Sequence, residues 1–155
     1  MQTTIIYITG IYDTLDLFTQ ELKNAFETMG YASFTYDARL EEESKQALIE
    51  CIEEGTKKGQ RFFGVTFNNL GYNLTLPEAK TETGDACSKQ NMGYSPKDIN
   101  SSREPNLWET YEIPYINILM DHPFHYEKPL QNAPDTSVVL CTDRNHVRYI
   151  RRYFK

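Results

Sequence analysis

Cysteine is scarce in this 155-residue chain: Cys51, Cys87 and Cys141 are three in number, far apart, and include no Cys-x-x-Cys pair. An odd, scattered set excludes a disulfide framework and a cysteine zinc site, and points to a reducing compartment, so a cytoplasmic setting is expected. Long apolar runs are missing too. No stretch approaches the ~18 residues of a membrane span, and the start Met1-Gln2-Thr3-Thr4 lacks the basic region of a signal peptide. Positive charge is in deficit, with 16 Lys and Arg against 22 Asp and Glu and a formal charge of -6. With no overall field to collect phosphates, neither a nucleic acid nor an anionic membrane is an expected partner. Spaced glycines are absent from the first turn, Thr9-Gly10-Ile11-Tyr12-Asp13, so a dinucleotide site is not indicated and no cofactor is expected.

What is present is an alternation of β-branched runs with segments of helical periodicity. Thr4 to Thr9 reads as a strand ending at Gly10, with Asp13 as helix N-cap. Leu15, Phe18, Leu22, Ala25, Phe26 and Met29 then recur at helical spacing up to Gly30. Ala32 to Tyr36, Arg61 to Phe67, Tyr115 to Met120 and Ser137 to Cys141 read as further strands, and Leu40 to Lys57 as a helix with an acidic start. Such alternation predicts one domain over 1–155, an α/β fold with a three-layer, Rossmann-like, doubly wound parallel sheet of five strands. The simplest order is 3-2-1-4-5, with the first strand between the second and fourth. Residues 73–103 read as a polar insertion or mobile loop, too long for an ordinary connection. Pro105 suits the first turn of a short helix through Trp108 and Tyr111. Asp143 can cap a last helix whose Val147, Ile150 and Phe154 form an apolar face and whose Arg144, Arg148, Arg151 and Arg152 form a basic stripe.

The chemistry concentrates where the fourth strand stops, at Asp121-His122-Pro123-Phe124-His125-Tyr126. Pro123 ends the strand, and in open α/β sheets ligands sit outside the carboxyl ends of strands, so Asp121, His122 and His125 are the first candidates for function. A carboxylate or imidazole there can serve as general base. It can equally cap a turn or satisfy backbone groups, and the residues alone leave both open. A metal site is disfavoured because no third histidine or cysteine lies nearby and the proline makes the spacing irregular. Asn68 and Asn69 after the third strand could present amides to a sugar, or simply make a turn. Asp37, after the second strand, reads as a turn residue rather than a ribose ligand.

Taken together, Ile113-Pro114-Tyr115, Asp121-His122-Pro123-Phe124-His125-Tyr126, and Val138 to Cys141 followed by Asp143-Arg144-Asn145-His146 and Tyr149 resemble the amino-terminal part of a bacterial glycosyltransferase-like family. That family has a two-domain GT-B architecture and is related to spore-maturation proteins. The resemblance implies the amino-terminal, acceptor-side half of a longer protein, with a nucleotide-sugar held mainly by a second, carboxyl-terminal domain and transferred to a hydroxyl acceptor in the cleft between them. It implies acceptor contacts, and often a general base, from the loops after the strands, here Gly10, Ile11, Tyr12, Asn68, Asn69 and His125; Asp121 and His122 are the candidates for deprotonating the hydroxyl, and the sequence requires no metal. The isolated chain is then expected to be inactive. Two rivals come from other classes. One is a non-catalytic binding domain that uses the strand-end cleft or the arginine-rich helix; the other is a flavodoxin-like or response-regulator-like domain, the latter weakened by Asn68 where a phosphorylatable Asp would stand.

Overall fold

The computed structural model describes residues 2–76 and 106–154. Five parallel strands, β1 (Thr3–Thr9), β2 (Ala32–Asp37), β3 (Arg61–Phe67), β4 (Tyr115–Leu119) and β5 (Ser137–Cys141), form one sheet in the order β2-β1-β3-β4-β5. The α/β class, the parallel pairing and the five strands agree with the sequence. The order 3-2-1-4-5 does not: β1 lies between β2 and β3, pairing Thr4 with Ala32 on one side and Thr3 with Arg61 on the other. The reason lies in what each strand must bury. Along β3, Phe62 and Gly64 to Phe67 are buried, as in a strand covered on both faces in the middle of a sheet, whereas only Tyr36 is buried in β2, as suits an edge. Periodicity reveals strands but not neighbours. The observed order moves the topological switch point, where the chain's connections diverge, to the gap between β1 and β3.

The two faces of the sheet are filled unequally. On one, Ile6, Ile8, Tyr36, Phe62 and Tyr115 pack with Leu48 and Ile52 of α2 (Glu41–Lys57) and with Leu107 and Trp108 of the single-turn α3 (Leu107–Thr110). Trp108 is fully buried and lies directly on Gly64, where an added Cβ would come within 2.6 Å of the indole ring. Glycine at 64 is thus the space the indole occupies. On the other face Ile5, Tyr7 and Val65 meet Leu22 and Phe26 of α1 (Asp13–Thr28). Ile116 and Ile118 join that cluster only in part, and Val139 is also half-buried, so these three lie at the margin of the core. Val138 and Leu140 are about half exposed, at 52% and 49%.

Local signals placed the helices well. Gly30, at φ +89, turns the chain out of α1, as a left-handed glycine after a helix does. Met29, expected on the apolar face, is exposed. Asp13 is the first helical residue rather than the cap: Tyr12 takes the cap position with no side-chain hydrogen bond, and Asp16 reaches back to accept from the Gly10 amide at 3.0 Å. Asp37 accepts from the Arg39 amide and guanidinium, which hold its carboxyl below the usual range, so it is a turn residue. Asn106 caps α3 by accepting from the Trp108 amide. Asp143 caps α5 (Arg144–Tyr153) by accepting from the Asn145 amide at 2.7 Å. Pro105 and all of the 73–103 insertion beyond Leu76 lie outside the described residues.

Candidate functional site

At the carboxyl ends of β1, β3 and β4 three connections converge. The first, Gly10 to Tyr12, leaves Ile11 and Tyr12 exposed at the rim. Gly10 has φ +90, and a side chain there would run into Asp37 Oδ1, so the turn requires glycine.

The second connection is a two-residue turn. Asn68 and Asn69 both have positive φ, 50° and 61°, and the Leu70 amide donates to the Phe67 carbonyl at 3.1 Å, the pattern of a type I′ turn. Asparagine tolerates this conformation better than other side-chain-bearing residues, and here both amides also bind the sheet. Asn68 Oδ1 accepts from the Met120 amide at 2.9 Å while its Nδ2 donates to Asp121 Oδ2 at 2.9 Å. Asn69 faces Asn117, a fully buried amide in the middle of β4. The Asn69 backbone N–H donates to Asn117 Oδ1 and Asn117 Nδ2 donates to Asn69 Oδ1, both at 2.8 Å. Three asparagines therefore tie the end of β3 to β4.

The third connection carries the carboxylate. Pro123 is buried and starts a 3-10 turn, Pro123–Tyr126, that leads into α4 (Glu127–Gln131). The turn brings Tyr126 back so that its hydroxyl donates to Asp121 Oδ2 at 3.0 Å. Burial, followed by this hydrogen bond and the nearby negative charge, pushes the Tyr126 phenol up to about 12, so it remains a donor at any ordinary pH. Asp121 Oδ2 is thus held by two donors, and Oδ1 has no hydrogen bond among the described residues. Asp121 lines a cleft of about 570 Å³ with Tyr12, Thr14, Phe18, Asn68 and Tyr126. An adjoining hollow of about 310 Å³ shares Tyr12, Asn68 and Tyr126 and reaches over Asn69 to Asn73 and His125.

Of the residues singled out from sequence, the structure brings Ile11, Tyr12, Asn68, Asn69, Asp121 and His125 to this double cleft. Gly10 shapes the first turn from just behind it, its amide occupied by Asp16. His122 is elsewhere: its Nδ1 accepts from the Phe124 amide at 3.2 Å, capping the 3-10 turn. Its ring stands edge-on to His146 and Tyr149 of α5, with centroids 5.0 and 4.9 Å away. Sequence reasoning missed Tyr126, which lies inside the quoted segment without a role, and Phe18, noted only for its helical spacing. It also missed Asn117, whose signal was a lone amide in the otherwise apolar run Tyr115 to Leu119.

Among the described residues, no group of three or more His, Cys, Asp or Glu side chains comes together as a metal site, and no helix is long and apolar enough to cross a membrane. No family model, curated protein or solved structure matches the chain.

Proposed function

We propose that this chain is the acceptor-side domain of a glycosyltransferase-like protein, which moves a sugar from a nucleotide-sugar to a hydroxyl acceptor seated in the cleft between the β1 and β3 ends. The observation that carries this reading is Asp121: a carboxylate at a strand end, fixed through one oxygen by Asn68 and Tyr126, with the other oxygen uncommitted beside a cleft of small-molecule size. In the proposed step Asp121 takes the acceptor's hydroxyl proton as that oxygen bonds the anomeric carbon and the bond to the nucleoside diphosphate breaks. Tyr126 and Asn68 orient the carboxylate for that transfer. Tyr12 and Phe18 give the cleft aromatic surface of the kind that stacks on the apolar face of a sugar ring. The resemblance read from the sequence, carried by Asp121-His122-Pro123 and the spacing to Asp143, is in keeping with the same assignment. The nucleotide-sugar is held mainly by a second domain, because no lysine or arginine among the described residues lines the cleft to bind its diphosphate.

In a protein joining this domain to a donor-binding one, Asp121→Asn should lower kcat by about 10²–10⁴-fold while leaving acceptor affinity nearly unchanged. The 155-residue chain alone should show no nucleotide-sugar binding by calorimetry. Tight binding of a nucleotide-sugar to it would move the donor site into this domain and defeat the acceptor-side assignment.

One observation favours a second reading, a non-catalytic binding domain that uses α5. Arg144, Arg148, Arg151 and Arg152 are all exposed and form no ion pair among the described residues, in a chain of net charge -6. Replacing Arg148 and Arg151 with Glu should leave saccharide binding in the cleft intact if the first reading holds.

A further inference from the structure

We infer that the cleft takes a neutral saccharide of at least two units, one beside Asp121 and the next over the Asn69 to Asn73 turn; this rests on the acceptor reading above. The two hollows share Tyr12, Asn68 and Tyr126, so they are neighbours separated by the same three side chains rather than unrelated cavities. At about 570 and 310 Å³ each lies within the roughly 300–1,000 Å³ of small-molecule sites. A single ring beside Asp121 leaves the second hollow unused.

The second hollow has a rigid floor. Leu70 O accepts from Thr66 Oγ1 at 2.9 Å and from the Tyr115 hydroxyl at 2.7 Å. Gly71 O accepts from Trp108 Nε1 at 2.8 Å, and Tyr72 O accepts from Asn106 Nδ2 at 2.7 Å. With these carbonyls engaged by the core, the turn is fixed before any ligand arrives, which lowers the ordering cost of binding. Its polar groups are those a sugar edge needs. Asn73 and His125 are exposed and their side chains make no hydrogen bond among the described residues. Asn69, only 2% exposed, keeps a buried Nδ2 donor with no partner among them. That donor is sealed beneath the turn, so the polar contacts open to a ligand here are those of Asn73 and His125. Ile11 and Pro129 supply the apolar surface that a ring's C–H face requires.

Charge narrows the ligand class. Asp121 is the single acidic residue lining either hollow among the described residues, with no lysine or arginine to offset it, so a phosphorylated or uronic saccharide is disfavoured against a neutral one.

The test uses the 155-residue chain, with glucose, galactose and N-acetylglucosamine against cellobiose, lactose and chitobiose, followed by amide NMR titration. At least one disaccharide should bind about tenfold or more tighter than its monosaccharide, shifting the amides of Asn73 and His125 together with that of Asp121. Asn73→Ala and His125→Ala, both at exposed positions, should each weaken that disaccharide about three- to tenfold and leave the monosaccharide unchanged. Equal affinity for both lengths, with shifts confined to the Asp121 side and both variants silent, would overturn the two-unit site while leaving the acceptor reading standing. Absence of binding by every saccharide at its highest soluble concentration would overturn both.

Discussion

The β3–β4 end of the sheet and the β5–α5 end are built from strands of similar length but opposite bonding. At the first, buried amides of Asn69 and Asn117, the Trp108 indole and the Tyr115 hydroxyl are each engaged across the chain, and burial drives the Tyr115 phenol far above its usual range. At the second, β5 is an edge, Val138 and Leu140 face solvent, and α5 contributes no fully buried residue. Local stability follows the density of buried contacts, so the candidate cleft sits on the stiff end of the molecule and its arginine-rich helix on the soft one. A binding site on stiff ground is preorganised; a surface on soft ground adapts to what meets it.

The sharpest way to break this contrast is at the stiff end. Trp108→Ala removes a fully buried indole lying on Gly64 and should destabilise the fold by about 3–5 kcal/mol in urea unfolding. A loss under about 1 kcal/mol would show that this face is not the organising core. Next comes Asn117→Ala, which leaves the buried Asn69 N–H without its acceptor and should lose about 1–3 kcal/mol, read the same way.

A third measurement sharpens the contrast without large cost. The folded Tyr126 phenol lies near 12, above its ordinary value, so the stability it contributes is present in full below about pH 10 and is lost as pH rises through 12. Asp121→Asn should bring its ultraviolet titration down towards the ordinary tyrosine range, with burial keeping part of the upward shift; an unmoved titration would mean the Asp121 contact is not formed in solution. The smallest effect belongs to the soft end. Leu140→Thr, at 49% exposure, should change stability by no more than about 0.5 kcal/mol, and a larger loss would mean that β5 is covered in solution.

Sequence pattern carried the fold class because each strand and helix is locally consistent: Thr4 to Thr9 and Arg61 to Phe67 could be nothing but buried strands, and Leu15 to Phe26 has helical spacing throughout. Strand order was not so readable. Whether β1 takes β3 or β4 as its second neighbour depends on packing such as Trp108 against Gly64, residues far apart in the chain whose fit no periodicity encodes. The site was partly readable for the same reason. Asp121 announced itself at a strand end beside a proline, and Asn68 and Asn69 as a turn. That Asn68 reaches Asp121, that Tyr126 folds back upon it, and that His122 turns away to α5 all depend on the juxtaposition of separate loops.

The pairing of Thr3 with Arg61 also sets a schedule for the chain as it is made. At about 5–20 residues per second, a ribosome needs roughly 3–12 s to travel from β1 to β3, its partner on the side away from β2. During that interval Ile5 to Ile8 can pair only with β2, and a two-stranded sheet is at best marginally stable in water. The emerging segment is therefore a natural client for a chaperone that shields extended apolar strands, and its exposure ends only when Arg61 to Phe67 leaves the exit tunnel.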